Sequence, residues 1–382
     1  MTRPRPLAPP PPPPPAARRR RRFVGPAIAA ATVGAVLLGA GAYGLSRSPS
    51  TTSTGTAPAG SASVSARGSA TAAAGPSTSA SPSGSASPSS SPSPSKKPAT
   101  GCTVTGGTAG CPAGPPVAAA AGKRWRLSFS EEFTGTDYDH GKLTPCFDWN
   151  TGDCTSTFNQ GREHYQPSQV VVSGGIAKLI AAPLSPARAD SACQNGQCTY
   201  KAGLLSTARP NAANGSGYLY KFTYGYVEAR IKFPATRGFF TAFWMLPAEP
   251  SYSYRSEIDI LEMLGNDPKT MFMTYHHSGR DQSYAVNKGQ YNNGACAVKD
   301  YSTSFVRMGL DWQPGHIAWY IDGKKCGQFS DASKIENGPM QIILHMMVDN
   351  NWQRRWNVGL TDPTLTRSLS VDYLRVYQQV PA

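Results

Sequence analysis

The body of the chain, residues 123–382, alternates apolar and polar residues at the period of a β-strand. In 225–233 the even-numbered side chains are polar or amphipathic, and the odd-numbered ones from 227 onward are apolar, so the two faces differ in polarity. Eight further segments place β-branched and aromatic residues between turn-forming residues: 169–172, 177–181, 242–246, 257–262, 271–276, 317–321, 341–347 and 371–377. No stretch of the body keeps an amphipathic helical repeat for three turns. We therefore predict an all-β fold, with two packed antiparallel sheets or a closed barrel.

The first 45 residues have the pattern of a membrane anchor or a signal segment. Residues 1–22 form a proline- and arginine-rich leader that ends in five arginines, and 23–45 is an uncharged stretch. A membrane-spanning helix needs about 20 residues, and basic residues before it stay cytoplasmic, which places the rest of the chain outside. The same pattern fits a signal peptide cut at Ala40-Gly41-Ala42, or a twin-arginine signal. We favour an uncleaved anchor, because the stretch has full bilayer length and a proline tract precedes it; cleavage would give a secreted protein.

Residues 46–122 are predicted to be a disordered linker between this segment and the body at 123–382. Between 46 and 100 nearly every residue is Ser, Thr, Ala, Gly or Pro. Such a composition buries too little apolar surface to offset the entropy of the chain. The linker would therefore act as a tether that spaces the body from a membrane or a wall.

The charge of the chain is concentrated in its first third. The formal net charge is +14, but 11 of the 37 Lys and Arg residues and none of the 23 acids precede residue 123. The leader and linker therefore carry +11 and the body only +3. A near-neutral body lacks the clustered bases that phosphate contacts need, so we expect no nucleic-acid partner.

The eight cysteines favour disulfides over a metal site. All of them lie beyond residue 45, the chain has no CxxC motif, and the six histidines are scattered. An even number of cysteines in an exported chain is typical of a disulfide framework. The simplest pairing joins near neighbours and leaves one long-range pair: Cys102–Cys111, Cys146–Cys154, Cys193–Cys198 and Cys296–Cys326.

Three acids lie within six residues of one otherwise apolar strand. Glu257 and Asp259 share a face of a regular strand, whereas Glu262 points to the other face. A β-bulge at Ile260 or Leu261 would absorb one residue and return Glu262 to the face of the other two.

Carboxylates on one face repel each other, so at least one pKa should rise toward neutrality. Glycoside hydrolysis needs this arrangement, because one carboxylate attacks the anomeric carbon while a protonated partner donates to the leaving oxygen. A solvated strand face with alternating acids, or ligation of a cation, would also account for the pattern.

The segment 257–262, Glu-Ile-Asp-Ile-Leu-Glu, resembles the catalytic signature of glycoside hydrolase family 16 in its bulged, laminarinase-like E-x-D-x-x-E form. Companion motifs extend the resemblance over the whole body: 129–133, 224–234, 241–247, 274–276, 319–323 and 371–377. The resemblance implies a concave β-jelly-roll sandwich of two antiparallel sheets, with a cleft for a polysaccharide.

The resemblance also assigns roles to the three acids. Glu257 would be the nucleophile and Glu262 the acid/base, while Asp259 would hydrogen-bond the nucleophile and help to hold a shared proton. No cofactor is implied for catalysis. The expected partner is a polysaccharide, and we expect a monomer.

Four further residues match family positions. Trp244, His276 and Trp352 correspond to residues that line the cleft and bind substrate. Asp372 corresponds to a ligand of a possible structural calcium on the outer face.

The sequence thus predicts a retaining endo-glycosidase that cleaves a β-linked polysaccharide through a covalent glycosyl-enzyme, with β-1,3-glucan as the first candidate. Two segments, 252–256 and 349–351, depart from the Trp and Gly residues that relatives acting on β-1,3-glucan carry there. Hydrolysis of another β-glycan such as galactan, a wall-remodelling transglycosylase and a non-catalytic carbohydrate-binding sandwich stay open as alternatives.

Overall fold

The computed structural model describes residues 113–150, 154, 157–249 and 255–382, and the backbone of 103–104. The predicted leader, the apolar segment at 23–45 and the linker up to residue 102 lie outside the described residues. Within the described part of the chain, no helix is long and apolar enough to cross a membrane.

The body consists of two β-sheets. Within the described residues the larger sheet has eleven strands: β1 (Thr103–Val104), β2 (Lys123–Glu131), β3 (Glu163–Tyr165), β4 (Val170–Ser173), β5 (Ile176–Ala189), β6 (Gln197–Ala202), β8 (Gly225–Lys232), β13 (Val306–Gln313), β14 (His316–Ile321), β15 (Lys324–Phe329) and β17 (Arg367–Pro381). The smaller sheet has six: β7 (Leu204–Ser206), β9 (Phe239–Pro247), β10 (Glu257–Leu264), β11 (Phe272–His277), β12 (Gln282–Ala285) and β16 (Met340–Val348). The described residues add one helix, α1 (Asn351–Arg355), and four short 3-10 turns: Pro167–Gln169, Gln194–Gly196, Ala212–Asn214 and Ala332–Lys334.

The strand order places the acidic strand near the middle of the smaller sheet. That sheet runs β12-β11-β10-β9-β16-β7, and the larger one runs β15-β14-β13-β8-β17-β5-β6-β3 with β2 also paired to β17. All pairs are antiparallel except β3 with β6, which are parallel. The predicted all-β fold with two sheets is confirmed, and the single parallel pair is the departure from a purely antiparallel arrangement.

All nine strands that the sequence predicts are present in the structure. In β8 the predicted alternation is confirmed, because Val227, Ala229 and Ile231 enter the main core while Tyr226 joins a separate cluster on the opposite face. The face that each strand turns toward the core therefore follows from its odd and even positions.

One apolar core fills the space between the sheets. Its largest members include the fully buried Trp312 and Trp319 of the larger sheet and Phe243 of β9. Truncation of such a buried aromatic typically costs about 3–5 kcal/mol. Trp319 also fixes the acidic strand, because its Nε1 donates a hydrogen bond of 2.9 Å to the backbone oxygen of Asp259.

A second, smaller core lies on the other face of the larger sheet and corrects the predicted linker boundary. Val117 packs against a cluster that contains Trp125 and Tyr377, and Trp125 Nε1 donates to Val117 O at 2.8 Å. Residues 113–122, predicted as the end of the disordered linker, therefore belong to the folded body. The reason is that the outer face of the sheet carries aromatic rings that this segment covers.

Three of the four predicted disulfides are present: Cys146–Cys154, Cys193–Cys198 and Cys296–Cys326. The predicted pair of Cys102 and Cys111 lies outside the described residues. Asp190 lies close enough to Cys193 and Cys198 to complete a metal site, but the two sulfurs are joined to each other, so the cluster is a disulfide rather than a set of thiolate ligands.

Candidate active site

A β-bulge in β10 brings the three acids to one face of the smaller sheet. Along β9, Asp259 is opposite Trp244, yet Leu261 is opposite the next residue, Phe243. Along β11, the register likewise shifts between Asp259 and Glu262. One residue is therefore absorbed, as the sequence predicts, and Glu262 returns to the side of Asp259. The opposite side of the strand, with Ile258 and its apolar neighbours, enters the core.

Two of the three acids contact a basic side chain. Glu257 is only 3% exposed, and its Oε2 forms an ion pair with Nη2 of Arg280. Asp259 is equally buried, and its Oδ2 lies 3.3 Å from Nε2 of His276. The positive charge near the site is therefore concentrated on Glu257 and Asp259.

Burial and mutual repulsion make the two glutamates weak acids. Burial is the largest cause that raises the pKa of Glu257 to about 8, and the charge of Asp259 adds to it, while Arg280 and His276 act in the opposite direction. Burial also raises the pKa of Glu262 well above its usual range, and the charges of Asp259 and Glu257 raise it further. Among the described residues no cation contacts Glu262, so burial and repulsion act on its pKa without the offset that Glu257 receives.

His276 completes the charge pattern. Burial lowers its pKa, but the hydrogen bond to Asp259 and the charges of Asp259 and Glu257 outweigh burial, so that the net shift is upward. A protonated His276 offsets the charge of Asp259 and leaves Glu262 as the neutral member of the group.

The predicted substrate-binding residues lie close to the acids. Trp244 is the register partner of Asp259 on β9, and His276 is the partner of Glu257 on β11. Trp352 on α1 packs edge-on against Phe272, the register partner of Glu262, at 5.1 Å between ring centroids. The structure therefore brings all three around the acidic strand.

The departure at 349–351 has a structural role. The side chain of Asn350 accepts from Gln353 N at 2.9 Å, and the Gln353 side chain accepts from Asn350 N at 3.0 Å, which is a capping box at the start of α1. Asp349 accepts a hydrogen bond of 2.7 Å from Nε of Arg162. These residues therefore fix the short helix that carries Trp352.

The sequence pattern does not single out several residues of this face. Arg280 comes from the turn after β11, and Phe158 comes from a loop and stacks on Trp244 at 6.0 Å. His345 of β16 accepts or donates a hydrogen bond of 2.8 Å with the Tyr165 hydroxyl, and burial lowers its pKa to about 3. Trp356 extends the aromatic wall beyond Trp352, at 6.0 Å. Only the tertiary fold brings these side chains together.

Asp372 does not fit the predicted calcium site. It lies at a bulge of β17, between Val371 and Tyr373, and its carboxylate forms an ion pair with Arg230. Calcium prefers several negatively charged or neutral oxygens, whereas here a guanidinium already neutralises the carboxylate. We therefore derive no function through calcium.

Ligand atoms of Glu257, Asp259 and His276 lie within 4.8 Å of one another, which is close enough to hold a metal ion. The guanidinium of Arg280 occupies one side of Glu257 and already supplies positive charge.

A sandwich whose sheet presents two weakly acidic glutamates and a linking aspartate on one strand defines a glycoside hydrolase. The model of glycosyl hydrolases family 16 matches residues 188–362. The resemblance given by the acidic motif is confirmed over this segment, which contains all three acids.

Individual relatives agree with this assignment. A β-glucanase from Rhodothermus marinus is 28% identical over 274 residues, which are 67% of this chain and 86% of the relative. The endo-1,3-1,4-β-glycanase ExsH from Rhizobium meliloti (strain 1021) is 29% identical over 217 residues; this match spans 56% of this chain but only 41% of that relative. The endo-β-1,3-glucanase structure from Pyrococcus furiosus superposes with a TM-score of 0.53 at 28% identity, over 70% of this chain and all of that chain.

Proposed function

We propose that the folded body is a retaining endo-glycosidase that cleaves β-1,3-glucan. The observation that carries the proposal is the bulge in β10, which aligns Glu257, Asp259 and Glu262 on one face; no cation of the described residues pairs with Glu262. When Glu257 ionises beside Arg280 and His276, Glu262 keeps its proton, and this pair is what double displacement needs.

In the first step the Glu257 carboxylate attacks the anomeric carbon, and Glu262 gives its proton to the leaving glycosidic oxygen. The C–O bond breaks and an ester forms between the sugar and Glu257. In the second step the Glu262 carboxylate takes a proton from water, which attacks the same carbon and releases Glu257. Two inversions retain the β configuration. Asp259 holds Glu257 in place and is itself held by His276.

The choice of β-1,3-glucan rests on the relatives and on the aromatic lining. The Pyrococcus furiosus structure is that of an endo-β-1,3-glucanase, and the Rhodothermus marinus relative is a β-glucanase. In this chain the half-buried Trp352 lies beside the acidic strand, and exposed aromatic faces stack on sugar rings. The buried Nε1 of Trp244 has no acceptor in the part of the chain that the structure describes, so a sugar hydroxyl would complete its hydrogen bonding.

A panel of polysaccharides tests the proposal. Laminarin should release reducing ends as a mixture of oligosaccharides, and proton NMR of the first product should show the β anomer. If only a galactan is hydrolysed, the substrate is a galactan rather than β-1,3-glucan. Products longer than the starting chains would indicate a transglycosylase. Binding without cleavage, or an initial α anomer, would contradict the proposed chemistry.

We further propose that the enzyme acts outside the cell as a monomer, anchored through residues 23–45 or released by cleavage at Ala40-Gly41-Ala42. Support comes from the basic leader in the sequence and from three disulfides in the body, which persist in oxidising compartments. Cell fractionation with mass spectrometry of the N-terminus tests the location. An intact N-terminus in a washed membrane fraction would support the anchor, and recovery of all activity from the cytoplasm would refute the proposal.

A further inference from the structure

Arg280 is held against the nucleophile by a constrained turn. Ser278, Gly279 and Arg280 have φ values of 55°, 70° and 69°, a region that residues other than glycine seldom adopt. Gly279 N donates a hydrogen bond of 3.1 Å to the backbone oxygen of Arg255, two residues before Glu257. The turn is thereby joined to the start of β10. Such uncommon backbone conformations persist where the surrounding structure fixes them, and they cluster at functional sites.

The position of Arg280 makes the two glutamates unequal. Its guanidinium contacts Glu257 Oε2, and its side chain is only 21% exposed, so that solvent screens the pair weakly. Asp259 faces His276, while the groups that act on Glu262 are the acids Asp259 and Glu257. Without Arg280, the buried Glu257 and the half-buried Glu262 beside one aspartate would compete for the same proton on nearly equal terms.

We propose that Arg280 is a positioning residue that makes Glu257, rather than Glu262, the ionised carboxylate and therefore the nucleophile. The inference rests on the proposed double displacement and deepens it. Arg280 forms no bond to the sugar in this role. Its planar guanidinium stabilises the negative charge of Glu257 and orients the reactive oxygen. The ammonium group of a lysine would reproduce this contact only in part.

The expected effect is a change in pH dependence. The rise of kcat/KM on the acid side reports ionisation of the nucleophile in the free enzyme. Arg280 is one of the two groups that lower the pKa of Glu257, so its removal should move this acid limb to higher pH. Each unit of displacement lowers the rate about tenfold at a pH below the limb. The alkaline limb, which reports loss of the Glu262 proton, should move less.

Three substitutions separate charge from shape. Arg280→Gln should move the acid limb upward by about one unit or more, and Arg280→Lys should move it less because it keeps the charge. In Arg280→Ala, millimolar guanidinium chloride should restore part of the lost rate. Arg126→Ala removes an exposed arginine from β2 of the other sheet and should leave the profile unchanged. Thermal melting confirms that each variant is folded.

Covalent labelling gives a second measurement. A 2-deoxy-2-fluoro-β-laminaribiosyl fluoride should label Glu257 in the wild type, as read by peptide mass spectrometry, and Arg280→Gln should label more slowly at acidic pH. Superimposable pH profiles for the wild type and Arg280→Gln would overturn the inference. Equal losses in the Lys and Gln variants without a displaced limb would also overturn it. Absence of wild-type hydrolysis and labelling would instead refute the proposed function, which keeps the two failures distinct.

Discussion

Two groups of acids, one on each sheet of this protein, differ in how completely they are paired. On the larger sheet, Arg375 forms two hydrogen bonds with Glu132, of 2.8 and 2.7 Å, and Arg230 pairs with Asp372. On β10 of the smaller sheet, three acids share one arginine and one histidine, and in the part of the chain that the structure describes no cation pairs with Glu262. Both groups are ionic clusters in a β-sandwich, but only the second is short of positive charge.

This difference separates a structural cluster from a reactive one. A carboxylate with its own guanidinium stays ionised and gives little drive for proton transfer. A group with fewer cations than acids retains a proton near neutral pH and can pass it to a substrate. The pairing therefore distinguishes these two groups before any substrate is considered.

The largest test of this comparison replaces one acid from each cluster. Glu257→Gln removes the nucleophile and should lower kcat on the order of 10⁴-fold or more, while the melting temperature changes little. Glu132→Gln leaves Arg375 without its charged partner in a largely buried site. It should cost about 3 kcal/mol and leave kcat per folded molecule near that of the wild type.

Reducing-end release and thermal unfolding of the same preparations give both readings. Loss of stability in Glu257→Gln together with loss of catalysis in Glu132→Gln would reverse the assignment of the two clusters.

The next effect concerns the proton on Glu262. Glu262→Gln should lower hydrolysis of laminarin roughly 10²- to 10⁴-fold, because the leaving oxygen no longer receives a proton. A dinitrophenyl β-glycoside needs little protonation on departure, so formation of the glycosyl-enzyme from it should be nearly normal, and azide should accelerate its breakdown. The burst of dinitrophenol measures this step. A defect of equal size on both substrates would argue that Glu262 does not act as the acid.

The sequence predicts the acidic site better than its surroundings. The β-bulge is predictable because Glu257, Asp259 and Glu262 lie on one face of the strand only if a bulge absorbs one residue. The strand β13 is missed because Gly309 and Asp311 interrupt its apolar pattern; Gly309 is needed because the Tyr226 ring lies where a Cβ would be. Arg280 is missed because a turn, rather than a sequence motif, brings it to Glu257. Local pattern specifies strands and the bulge, whereas contacts between distant loops need the folded chain.

A smaller effect is the change of folding stability with pH, whose direction follows from the raised pKa of Glu262. The pKa of Glu262 is raised in the folded state above its ordinary value of 4.5. The unfolded chain therefore releases this proton first, and stability should fall as pH rises above about 4.5. Glu262→Gln cannot ionise, so it should match the wild type at pH 4 and melt higher at pH 8, by roughly 2–4 °C for each kcal/mol removed.

Asp362→Asn is the matched control. A hydrogen bond from Thr364 lowers the pKa of this exposed acid, so its stabilising effect is present above the unfolded value and is lost as pH falls. The variant should therefore be slightly less stable at neutral pH and equal to the wild type in acid. Melting curves from pH 4 to 8 compare the two, and a Glu262→Gln curve parallel to that of the wild type would contradict the proton held on Glu262.

The smallest effect concerns the pair of Asp372 and Arg230 on the larger sheet. Since the guanidinium neutralises the carboxylate, addition of calcium or of a chelator should leave both the melting temperature and laminarin hydrolysis unchanged. Arg230→Ala frees Asp372 and should cost only about 1 kcal/mol or less, because both side chains are at least 30% exposed. Arg230 also lies over the Phe305 ring, at 4.7 Å from the ring centroid, so Arg230→Lys is the control that keeps the charge. A chelator that lowers the wild-type melting temperature by several degrees would show that a bound cation, rather than Arg230, balances this acid. The comparison between the paired and the underpaired group of acids would then fail at Asp372.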